Sequence, residues 1–154
     1  RAAWIGRALA DQAQQAIHRM RPEPVRIIGG ASEVMPLPPA QVRLGRFLLP
    51  RWMGRRLVDD DATLSLLRIG DLVLAGVPCD FSAQLGARLV QAGQARQRSV
   101  LTVGFANDYI GYCVPEALYH MKEYESSMAF NGPTTGELIT DRLIQMLISV
   151  TSVE

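Results

Sequence analysis

Two β-rich runs, Thr63–Ile69 and Leu72–Val77, are separated only by Gly70-Asp71. Two turn-forming residues between alternating apolar runs predict a β-hairpin. Directly after it, Pro78-Cys79-Asp80 leads into a helical pattern over Ser82 to Arg96, with Phe81, Leu85, Leu89 and Ala92 as its apolar stripe. The next segment, Ser99–Phe105 (SVLTVGF), is nearly continuous in apolar residues, which predicts a strand buried on both faces. A hairpin followed by a helix and a buried strand constrains the chain to the α/β class, a mixed β-sheet flanked by helices.

The flanking segments fill in that pattern. Ile5, Leu9, Ala13, Ala16, Ile17 and Met20 recur at steps of three and four, predicting an amphipathic first helix that Pro22 and Pro24 stop. Val25–Ile28 reads as a short strand running into a flexible Gly29-Gly30. From Met35 to Leu57 the chain is punctuated by prolines and strongly basic, with Arg43, Arg46, Arg51, Arg55 and Arg56 alternating with Phe47, Leu48, Leu49, Trp52 and Met53, and Asp59–Asp61 closing it. After Phe105 come a polar, aromatic loop over 107–112 and a short acidic stretch from Pro115 to Glu125. A closing helix places Ile139, Leu143, Met146, Leu147 and Val150 on one face.

The chain has 154 residues, which is about one domain, and a hydrophobic fraction of 48% that suffices for a core. No apolar run approaches the ~20 residues of a membrane-spanning helix. Net charge is +1, which argues against a nucleic-acid binder working by bulk charge. Two cysteines, Cys79 and Cys113, are too few for a disulfide scaffold or a cysteine-based zinc site. The chain opens on Arg1 with no basic-then-apolar signal segment, an opening expected where upstream residues have been removed.

Chemistry is expected at two strand ends, one at Asp80 and one at 107–112, because ligands of open α/β sheets bind there. An acidic residue after an apolar strand can serve as a hard oxygen ligand or a general base; equally, Asp80 can cap the helix that follows. Tyr109, Tyr112, Tyr119 and Tyr124 are all the tyrosines of the chain and fall within one short stretch, a pattern that also fits partly buried packing with solvent-reaching hydroxyls. The two histidines, His18 on the first helix and His120 beside Tyr119, stand in no metal-binding motif. By these patterns alone the chain is an α/β domain with a polar pocket at two strand ends.

The order of motifs adds a family. Pro78-Cys79-Asp80-Phe81-Ser82 followed by Gly86-Ala87-Arg88-Leu89 resembles the Pro-Gly-Glu-Phe-Thr…Gly-Arg-Arg-Leu motif of the neutral/alkaline ceramidases. Gly104…Asn107-Asp108-Tyr109-Ile110-Gly111-Tyr112 resembles that family's Asn-x-Tyr-x-x-Tyr motif. Tyr119 and Tyr124-Glu125 fall where the family has Glu-Glu-Tyr and Tyr-Glu pairs, and Gly132-Pro133-Thr134 resembles its Gly-Pro-x-Thr entry to the last helix. The match is ordered from about Leu72 to Leu143. Asp80 stands where the family has Glu, Cys79 where it has Gly, and Ala87 where it has Arg.

The resemblance implies that residues 1–154 are the C-terminal portion of a larger ceramidase-like catalytic domain, its upstream portion absent. It implies a zinc-dependent amidohydrolase that cleaves the N-acyl amide bond of ceramide or a related N-acyl lipid. In that family zinc (Zn2+) is held by two histidines, a glutamate and a tyrosine; the glutamate position falls on Asp80 and the tyrosine position on Tyr112. Tyr124 falls on the tyrosine that hydrogen-bonds the developing oxyanion. The implied partners are the upstream part of the domain, which carries the zinc histidines, and a lipid substrate. The chain by itself is expected to hold half a site and to be inactive, and family members are exported or membrane-associated. The alternative is a relative with an altered or lost metal site, acting on another amide or serving as a binding domain. Cys79 has a soft-ligand role open to it. The basic stretch around Arg43, Trp52 and Arg56 has two readings, peripheral contact with an anionic membrane or a solvated loop paired with Asp59–Asp61.

Overall fold

In a computed structural model, which describes residues 1–22, 24–44, 47–54, 58–121 and 123–151, the chain begins with α1 (Ala2–Arg19), β1 (Ile28–Pro36), β2 (Arg43–Leu44), β3 (Phe47–Leu48) and α2 (Arg51–Gly54). It continues with β4 (Asp61–Ile69), β5 (Leu72–Gly76), β6 (Asp80–Phe81), α3 (Ala83–Gln94) and β7 (Ser99–Val103). Last come β8 (Tyr112–Cys113), α4 (Glu116–Tyr119), α5 (Tyr124–Ser127) and α6 (Thr135–Thr151). The expected hairpin forms between β4 and β5, Ile69 opposite Leu72, with Gly70 at φ +61° in the turn.

β1, β4, β5 and β7 make one sheet in that order. β1–β4 and β4–β5 are antiparallel, while β5–β7 is parallel and is connected through α3. This is the mixed sheet that a hairpin plus a crossover helix dictates. α3 and α6 pack against each other, α3 against β7 and α6 against β4. Between sheet and helices lies the core, with Leu64, Leu66, Val73, Leu85, Ile139 and Leu143 nearly or wholly removed from water. Arg142 of α6 grips the Glu33 carboxylate of β1 through Nε and Nη2, at 2.8 and 2.6 Å.

Three sequence expectations change. The strand near Val25 in fact starts at Ile28 and runs through Gly29-Gly30 to Pro36, in register with β4 along its whole length. Gly30 is there for close approach rather than for a flexible link, since a Cβ on it would sit 2.8 Å from the Leu66 carbonyl oxygen. β7 is alternately exposed instead of buried on both faces, because α3 packs on one of its faces while the other, with Leu101 and Val103, is uncovered among the described residues. α1 is helical as its periodicity predicts, yet none of its residues is buried. Its stripe, with Ile5, Leu9 and Ile17, faces water.

These differences predict opposite outcomes for two leucines. Leu143→Ala empties a fully buried position and should cost about 2–5 kcal/mol in denaturant unfolding. Leu9→Ala on exposed α1 should change stability by less than about 0.5 kcal/mol.

Candidate functional site

The two strand ends named from the sequence meet. β6 and β8 pair in parallel, Asp80 opposite Tyr112 and Phe81 opposite Cys113. The pairing is held by Asp80 N–H to the Gly111 carbonyl (2.9 Å), Ser82 N–H to the Cys113 carbonyl (3.0 Å) and Ile110 N–H to the Pro78 carbonyl (2.8 Å). Gly111 sits at φ +88° and bridges to Ala129; a Cβ there would collide with the Met128 carbonyl oxygen and the Phe130 ring. Only glycine lets the chain turn so tightly into β8.

The helix cap is Ser82, whose Oγ accepts from the Gln84 N–H at 3.3 Å. The capping role offered to Asp80 is therefore taken by its neighbour two residues on, and the Asp80 carboxylate is left for other contacts. It stands beside the Tyr112 hydroxyl. Partial burial and the Asp80 carboxylate, by its proximity and its negative charge, hold the Tyr112 phenol above the ordinary tyrosine range, since each disfavours phenolate. Tyr124 packs edge-on against Tyr112, ring centroids 5.9 Å apart and planes at 80°. Asp80, Tyr112 and Tyr124 thus stand together.

Beside them opens a cavity of about 470 Å³. Phe81, Val114, Leu118 and Met121 give it an apolar wall, and Asp80, Glu123 and Glu125 line it with carboxylates. Acidic and apolar residues from α4, α5 and their connection reach it together, which periodicity in such short helices does not reveal. Tyr119 goes elsewhere: it is fully buried against Val114 and Ala129, a packing residue. His120 is exposed, 3.8 Å from Glu116, and His18 lies on the exposed α1. Cys79 is buried in the core with its thiol on Cys113, and this contact, with burial, pushes its pKa far up. A neutral thiol turned into the core is not placed as a soft ligand.

A clamp that the sequence reading missed steadies the loop before Tyr112. The Thr63 N–H donates to Asp108 Oδ2 at 2.7 Å, and Asn107 Nδ2 donates to the Thr63 carbonyl at 3.2 Å and to Ser65 Oγ at 3.0 Å. Phe105 and Asn107 both adopt positive φ, +56° and +70°. An Asn-Asp pair after a strand was the available signal, since both tolerate left-handed backbone and bond to nearby main chain. Phe105 stacks on Tyr109, centroids 5.4 Å apart. Of the basic stretch, Arg46, Arg55 and Arg56 lie outside the described residues; Trp52 is exposed.

Among the described residues no group of three or more His, Cys, Asp or Glu could hold a metal ion, and no helix is long and apolar enough to cross a membrane. No family model matches the chain. Curated relatives do. A neutral ceramidase of Drosophila pseudoobscura is 30% identical over 126 residues, 75% of this chain, and one of Drosophila melanogaster is 30% identical over 110 residues, 67% of it. A neutral ceramidase of Pseudomonas aeruginosa is 30% identical over 92 residues, 56% of the chain. The chain belongs to the neutral ceramidase family. It spans only 17%, 15% and 14% of the lengths of these three relatives. A solved ceramidase complexed with C2 matches with TM-score 0.58 and 28% identity, over 62% of this chain and 16% of that one. The solved neutral ceramidase of Pseudomonas aeruginosa matches with TM-score 0.68 over 82% of this chain and 29% of its own, at 18% identity, which supports the shared α/β fold alone.

The Asp80–Tyr112 contact makes a titration prediction. Asp80→Asn should lower the Tyr112 pKa without restoring it fully, because burial remains. Tyrosinate absorbance against pH, with Tyr112→Phe subtracted to isolate the group, reads this. As an acid whose folded pKa is raised, Tyr112 stabilises the fold fully below its unfolded pKa of about 10, and this stability is lost as pH rises through the folded value. Asp80→Asn should shrink that alkaline loss.

Proposed function

We propose that this chain supplies the Asp80–Tyr112 half of a zinc site in an amidohydrolase that cleaves the N-acyl amide bond of ceramide or a related N-acyl lipid. The observation carrying this reading is the convergence of Asp80, Tyr112 and Tyr124 beside an apolar-walled cavity. A carboxylate and a phenol in contact are hard oxygen donors of the kind zinc accepts, and zinc sites commonly use three or four protein ligands. The donors present fit as part of such a set. The remaining donors, histidines by family resemblance, come in this reading from polypeptide beyond these residues.

When bound, zinc supplies Lewis-acid polarisation of the amide carbonyl and a lowered pKa for water. The chain's own residues do the rest. Asp80 orients the Tyr112 oxygen, and the β6–β8 pairing fixes the two donors at one register position. Tyr124 donates a hydrogen bond to the oxygen on which negative charge develops. The apolar wall of Phe81, Val114, Leu118 and Met121 receives hydrocarbon and keeps water from it.

In the intact gene product, Asp80→Ala should lose zinc by elemental analysis, together with hydrolysis of N-acyl lipids. Tyr124→Phe should keep its zinc and lose roughly 10²–10³-fold in kcat, as removal of one oxyanion donor does. Unchanged zinc in Asp80→Ala would remove Asp80 from the ligand set. The shorter Asp in place of the family's Glu favours one second reading, a relative with an altered or lost metal site that acts on another amide or serves as a binding domain. A zinc-free intact protein that leaves ceramide and other N-acyl lipids untouched would establish it.

A further inference from the structure

Cys79 and Cys113 are the two cysteines of the chain, and the chemistry proposed above uses neither. They sit on the same two strand ends that carry Asp80 and Tyr112. β6 and β8 run parallel with Phe81 opposite Cys113, and the Ile110 N–H to Pro78 carbonyl bond extends the pairing back past Cys79. Successive side chains of a strand point to opposite faces. Cys79, Phe81 and Cys113 therefore share one face of the ladder, while Asp80 and Tyr112 share the other. On their common face the two cysteines are diagonal neighbours.

Burial agrees with that placement. Both cysteines belong to the core cluster with Leu85, Ile110 and Ile139, and neither exposes more than 1% of its surface. Asp80 and Tyr112 are part-exposed and line the cavity. The Cys113 thiol stands beside that of Cys79. A disulfide joins Cα atoms ~4.4–6.8 Å apart, a little less than the ~7–8 Å of diagonal neighbours in a flat ladder. This ladder is only two residue pairs long and Cys79 lies in a bend just before it, so a small local shift closes the gap. Cys79 stands where the ceramidase motif has Gly, so the motif itself does not supply the pair.

We infer that Cys79 and Cys113 are a reversible disulfide pair, a covalent modification site that cross-links β6 to β8 behind Asp80 and Tyr112. The inference goes beyond the amidohydrolase reading and rests on the ladder alone. The oxidant is a small-molecule disulfide of the glutathione type. One cysteine thiolate attacks a sulfur of that disulfide and releases one small thiol. The other cysteine thiolate then attacks the mixed disulfide, forms the Cys79–Cys113 bond and releases the second small thiol. Two protein S–H bonds are lost, two form on the released thiols, and one S–S bond passes from oxidant to protein. Burial holds both cysteines away from the oxidant, so exchange in the folded protein waits on opening of the short ladder. A bond that must draw the backbone together is readily reduced again.

The test follows the two cysteines in the intact gene product. One reduced sample is equilibrated, folded, with glutathione disulfide; a second is refolded from denaturant in the same oxidant, which removes the wait for ladder opening. Free thiols are blocked with a maleimide under denaturing conditions, and tryptic peptides are read by mass spectrometry. Cys79 falls in the peptide 69–88 and Cys113 in 99–122. The expected result is these two peptides joined to each other, outnumbering either one carrying glutathione at least ~10-fold, because each thiol meets the other at a high effective concentration. Dithiothreitol should return both to the maleimide-blocked form. The inference falls if the two peptides stay apart in both samples, whether blocked by maleimide or each carrying glutathione. It falls equally if either one is joined to a cysteine elsewhere in the protein.

Discussion

Two residues of β6 paired with two of β8 bring the candidate site together. Asp80 and Tyr112 are far apart in sequence, and each ends a different strand-to-loop passage. Three backbone hydrogen bonds between 78–82 and 110–113 bring them to one register position. Everything around the pair serves that placement. The Gly111 turn admits β8 beneath Met128 and Phe130, the Asn107–Asp108 clamp ties the approach to β4, and the Cys79–Cys113 contact fills the core below. A short ladder of this size has little stability of its own. It persists because Ser82 starts α3 on one side and the packed Cys113–Val114 segment continues on the other.

The hairpin, α3 and α6 were legible in the sequence because their signals are local: a two-residue turn and apolar steps of three and four. β1 was misread because its length comes from pairing with β4, and a glycine needed for close backbone approach looks identical to one needed for flexibility. The apolar run of β7 was read as doubly buried since composition registers how much apolar surface a strand carries and not what covers it. α1 shows the same limit, a true amphipathic helix whose stripe has no partner within these residues.

The site was legible only in part. Asp80, Tyr112 and Tyr124 were named through a family resemblance, and the fold brings those three together; Tyr119, equal to them in sequence pattern, is buried packing instead. Spacing alone left Asp80 divided between cap and ligand, and the cap fell to Ser82. The cavity walls from α4 and α5 escaped notice because helices of one turn have no periodicity to read. The fold and its family are those of the neutral ceramidases, and the chain holds Asp80, Tyr112 and Tyr124 together beside a cavity.

The central claim is that Asp80 and Tyr112 are donors to one metal ion. Anomalous diffraction at the zinc edge, from crystals of the intact protein grown with zinc, tests it most directly. The account predicts a peak within about 2.0–2.2 Å of both the Asp80 carboxylate and the Tyr112 oxygen. A zinc peak bound elsewhere, with neither oxygen in its coordination sphere, would contradict it.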